Sequence, residues 1–72
     1  MMSRRYPTAE EVERILWDLE RPMTLRAISR VSGVRYDRAR YAMISLRYQG
    51  LVAHGPRRGN KGALWYRRGR YA

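Results

Sequence analysis

The chain is expected to fold as an α+β domain, a three-helix bundle followed by a C-terminal β-hairpin. Three observations predict this. Apolar residues recur at helical spacing in three segments, 8–20, 24–32 and 35–49. Pro22, Gly33 and Gly50 stand where each helix must stop. Two short apolar runs then flank a glycine-rich turn, the pattern of a hairpin over 51–67. Seventy-two residues make one domain with a small core, because so short a chain buries only about 60% of its unfolded surface.

Residues 1–7 read as an arm. Thr8 is placed to cap the first helix, and Glu11 follows at capping-box spacing. Val12, Ile15, Leu16 and Leu19 form its stripe. Trp17 falls about 140° from Val12, opposite the stripe and among Glu10, Glu13 and Arg14. An exposed tryptophan needs a reason, and three are open: cover by the arm, cover by the tail, or an interface, with a homodimer pairing through this helix. Met23 reads as a short extended piece. Thr24 caps the second helix, with Leu25, Ile28 and Val31 expected inward, and Gly33 ends it in a left-handed conformation. Helix, glycine turn and helix form a helix-turn-helix unit.

In the third helix Ala39, Met43 and Leu46 share one side, with Ala42 beside them. Asp37, Arg40, Tyr41, Ile44 and Tyr48 lie opposite. A solvated face usually carries Glu and Lys; this one offers arginine, tyrosine and isoleucine. Arginine forks suit guanine edges and phosphates, and an aliphatic side chain can meet a thymine methyl. Asp37 is expected to support the helix start and to hold Arg40 at i+3. Leu51 to His54 and Ala63 to Arg67 are the expected strands, Trp65 a core residue beside Met23, and 68–72 a tail.

The formal net charge is +10, unevenly placed. Residues 1–20 hold three arginines against five carboxylates, a net of −2, while residues 21–72 hold thirteen cations against Asp37 alone, a net of +12. Such asymmetry is the footprint of a polyanion partner. Other classes find no support. There is no cysteine, and His54 alone builds no metal site, so no metal or cofactor is expected. No apolar run approaches a membrane span or a signal peptide, which points to the cytoplasm or the nucleoid. Five of the six acids sit in the first helix, away from the basic residues, and Gly59-Asn60-Lys61-Gly62 lacks the spacing of a nucleotide-binding loop, so no enzyme is expected.

Thr24-Leu25, Ile28, Gly33-Val34, the aliphatic series Ala39, Met43 and Leu46, and Gly50-Leu51-Val52 together resemble the bacterial and phage winged helix-turn-helix regulators over residues 8–67. Arg35 departs from the pattern, since the family usually caps its third helix there with Ser or Thr. The resemblance implies double-stranded DNA as partner, with the third helix in the major groove and the hairpin as a wing on the backbone or minor groove. The expected contacts are Arg35, Tyr36, Asp37, Arg38, Arg40, Tyr41, Ile44, Arg47 and Tyr48 on the third helix, and Arg57, Arg58, Asn60 and Lys61 on the wing. Thr24 and Arg26 on the second helix and Arg4 and Arg5 in the arm complete the set. No small-molecule effector is expected. The implied role is transcriptional regulation, as a repressor of phage or mobile-element type. The rivals are an architectural or recombination accessory factor, an RNA binder, and a protein-interaction module that inhibits a nucleic-acid-binding enzyme.

Overall fold

Helix α1 (Ala9–Asp18) starts at a reciprocal cap. The Glu11 N–H donates to Thr8 Oγ1 at 3.1 Å, and the Thr8 N–H donates to Glu11 Oε1 at 2.9 Å. A side-chain cap of this kind stabilises a helix by about 1 kcal/mol. The computed structural model describes residues 6–57 and 62–68. Within them the fold is α+β: three helices, then a two-stranded antiparallel hairpin.

α1 stops at Asp18, short of the expected residue 20, and Leu19 leaves the helix fully buried. Pro22 pushes the residue before it toward extended backbone, so the chain unwinds ahead of it. Ile15 and Leu19 form the buried half of the stripe; Val12 and Leu16 pack half-buried at its edge.

α2 (Leu25–Ser32) is capped by Thr24, whose Oγ1 accepts from the Ala27 N–H at 3.2 Å, and ends at Gly33 with φ +74°. The expectation for Val31 is overturned: it is 57% exposed, and Ser32 is buried in its place. Leu25 and Ile28 set the inward direction of this short helix. Position 32, at i+4 from Ile28, falls between them, whereas position 31 falls about 90° away. Burial of a serine is tolerated because its hydroxyl donates to the Ile28 carbonyl at 2.7 Å and accepts from the Val34 N–H at 3.3 Å. Ser29 donates to the Val34 carbonyl, so two serines knit the turn between α2 and the next helix.

α3 (Tyr36–Tyr48) buries Ala39, Ala42, Met43 and Leu46, the stripe expected for it. Two alanines there let the neighbouring helices approach closely. Arg35, in the capping position, makes no side-chain cap bond. Gly50, at φ +79°, turns the chain back, and the Leu51 N–H donates to the Leu46 carbonyl at 3.0 Å.

Strands β1 (Val52–His54) and β2 (Trp65–Arg67) pair antiparallel, with Val52 opposite Arg67 and His54 opposite Trp65. Both are shorter than expected. Met23 bridges Trp65 with two backbone bonds, 2.9 Å and 2.7 Å, so the extended piece before α2 joins the hairpin edge. Val52 and Trp65 close the core over α3, as expected for Trp65. No helix among the described residues is long and apolar enough to cross a membrane.

Candidate nucleic-acid interface

The core stripe of α3 fixes what its other residues can reach. Arg35, Tyr36, Asp37, Arg40 and Arg47 are exposed, and Tyr48 is 89% exposed. The guanidiniums of Arg35, Arg40 and Arg47 have no ion-pair partner among the described residues. Asp37 does not hold Arg40, so the expected pair at i+3 is absent here. An uncommitted guanidinium keeps its full fork for an incoming acceptor.

Arg38 corrects the expectation made for it. Its Nη2 lies 2.9 Å from Glu11 Oε1, and both side chains are half-buried. The same oxygen accepts the Thr8 N–H, so Glu11 both caps α1 and pins α3 to it. Position 38 lies on the flank of α3 that meets α1, not on the outward face. The signal was available in the pattern: about 60° separates Arg38 from Tyr41, toward the core side.

Tyr41 and Ile44 are half-buried rather than fully outward. With Tyr6, Pro7, Val12 and Tyr48 they line an apolar groove of about 550 Å³ along the α1–α3 seam. The Tyr6 and Tyr41 rings meet edge-on, centroids 5.2 Å apart. The chain entering α1 thus covers one edge of the face expected to be free.

A second hollow joins three elements. A cleft of about 530 Å³ is lined by Thr24, Leu25 and Arg26 at the start of α2, by Tyr36 at the start of α3, and by Arg57, Gly62, Ala63 and Trp65 of the hairpin. The fold thereby brings Thr24, Arg26, Tyr36 and Arg57, distant in sequence, around one opening. Arg26 and Arg57 are exposed and have no ion-pair partner among the described residues. The Thr24 oxygen is engaged in its cap, which leaves its hydroxyl hydrogen to donate. Beside the cleft, His54 lies against Trp65, ring centroids 4.6 Å apart, with Nδ1 2.8 Å from the Gly55 carbonyl oxygen. Arg4, Arg5, Arg58, Asn60 and Lys61 lie outside the described residues.

Trp17 stays 67% exposed on α1. The Arg67 guanidinium stands over its ring, 5.9 Å from the centroid. That contact is invisible to helical periodicity, since it needs the register of β2 against α1. Among the described residues no group of His, Cys, Asp and Glu is arranged to hold a metal ion.

No protein-family model, curated protein or solved structure matches the chain.

Proposed function

We propose that this chain is a winged-helix DNA-binding domain that acts in transcriptional regulation, as a repressor of phage or mobile-element type. One observation carries the reading: Arg26 at the start of α2 and Arg57 on the hairpin line one opening with Tyr36 of α3, and exposed Arg40 and Arg47 stand further along that helix, none of the four with an ion-pair partner among the described residues, while five of the six acids lie in or just after α1. In this reading the hairpin is the wing. Arg40 and Arg47 enter the major groove on α3 and read base edges, with Asp37 and Tyr36 beside them. Arg26, Arg57 and the Thr24 hydroxyl hold phosphates and set the register. Ile44, half-buried at the seam, presents only its edge to a thymine methyl. Arg38 is kept by Glu11 and takes no part.

The test is a mobility shift with random duplex DNA over a salt series, followed by selection from random duplexes. Binding that weakens steeply with salt, together with enrichment of one sequence, is the expected result. Steep salt dependence without enrichment fits an architectural protein instead. Absence of any shift at low salt rejects DNA binding.

A further inference from the structure

The outer face of α1 is used neither by the core nor by the proposed DNA contacts. Its centre is Trp17, a large aromatic left mostly exposed. The Arg67 guanidinium lies over one side of the ring. Along one flank of Trp17 the charges alternate: Glu10, Arg14, Asp18, then Arg21 just past the helix end, with Glu13 on the other flank. Arg14 and Asp18, one turn apart, do not pair with each other.

The order minus, plus, minus, plus becomes plus, minus, plus, minus when read backwards. A second copy laid antiparallel, with Arg14 level with Asp18, therefore meets opposite charge at each step, and Arg21 stands near Glu10. A parallel copy in register meets like charge at each step. Antiparallel pairing sets the same flank of each helix against its counterpart, and Arg14 and Asp18 share a flank, about 40° apart. The two Trp17 rings then sit side by side at the two-fold axis. A surface complementary to itself in this way is what an isologous dimer requires. Tryptophan is also among the residue types that most often anchor an interface.

We propose that the outer face of α1 is a homodimer interface, with two antiparallel copies joined by Trp17 at the centre and by Arg14 to Asp18 pairs crossing on either side. A face of three turns is small, so association is weak in dilute solution and is strengthened by a duplex carrying two half-sites. The interface does not rest on DNA binding and is measured without DNA.

The experiment is sedimentation equilibrium of the full chain up to high concentration, with circular dichroism as the control for folding. The wild type should show concentration-dependent dimers. Arg14→Asp alone and Asp18→Arg alone should each weaken association by roughly tenfold or more, because like charges then face each other. An equimolar mixture of these two variants should restore it, since opposite charges meet again at both positions. Trp17→Ala should abolish dimers and keep the helical spectrum. A wild type that stays monomeric at every concentration overturns the proposal. So does a mixture no better than its components, or a dimer that survives all three substitutions.

Discussion

On α1 the outward residues Glu10, Glu13, Arg14 and Trp17 mix both signs; on α3 Arg35, Arg40 and Arg47 face outward with only Asp37 against them. Both faces hold arginine and a large exposed aromatic, Trp17 on one and Tyr48 on the other. What separates them is the company each guanidinium keeps. Arg14 stands among carboxylates that repel phosphate and invite a mixed-charge protein surface. Arg40 and Arg47 stand where the neighbouring charge adds to their own and attracts a polyanion. Residue type alone does not separate the two faces, but the sign of the surrounding field does.

The two faces share one core, so the largest effect should fall on both at once. Met43 is fully buried among helices and hairpin. Met43→Ala should cost about 2–5 kcal/mol, a large part of the stability of a domain this small. DNA binding and self-association should fail together in a thermal melt followed by both assays. Loss of one function with the other intact would show that the faces do not depend on a common core.

The next effect should divide them. Arg40→Ala should weaken the preferred duplex by about 1–3 kcal/mol, relax discrimination at one base position and leave the melt unchanged. Arg14→Ala should leave affinity for a duplex carrying a single half-site within measurement error. Equal losses from the two would place DNA across α1 and refute the division by field.

Smaller still is the effect of the cleft. Arg26→Ala with Arg57→Ala should weaken specific and random duplexes alike. Removing one cation from a phosphate should reduce the salt slope by about 0.9, so the pair should reduce it by about 2. An unchanged slope would mean that the cleft does not meet the backbone.

Much of this architecture is legible in the sequence, because caps and stripes are local. Thr8 with Glu11, Thr24, Gly33, and the series Ala39, Met43 and Leu46 need only spacing to be read, and each stands where spacing puts it. Misreadings arise where a side chain is claimed by another element. Arg38 is taken by Glu11 of α1, Tyr41 meets Tyr6, and Arg67 covers Trp17. Those contacts depend on how helices and strands pack, which a helical wheel does not contain. Val31 fails for a different reason. Hydrophobicity outranks position in such a reading, whereas position 32 falls between Leu25 and Ile28, and burial of Ser32 is tolerated because its hydroxyl finds two backbone partners.

Glu11 ties the two regions together, and the finest test lies there. It belongs to α1 by its cap and to α3 by its pairing with Arg38. Glu11→Ala removes an acceptor for the Thr8 N–H and the partner of a half-buried guanidinium. A typical hydrogen bond contributes about 1 kcal/mol and a partly exposed ion pair about 0.2–1 kcal/mol. The melting temperature should therefore fall by roughly 4–8 °C or somewhat more. Glu13 is the control: it is exposed, has no ion-pair partner among the described residues, and its removal changes the net charge equally. Glu13→Ala should scarcely move the melt. On DNA the contrast should reappear in the salt slope. Freed from Glu11, Arg38 can swing toward a phosphate, which adds up to about 0.9 to the slope, whereas Glu13→Ala frees no cation on α3. If both variants shift the melt and the slope by the same amount, Glu11 acts only through net charge and Arg38 is not held in the way described. If only the melt responds to Glu11→Ala, Arg38 lies out of reach of the duplex and the docked face begins at Arg40.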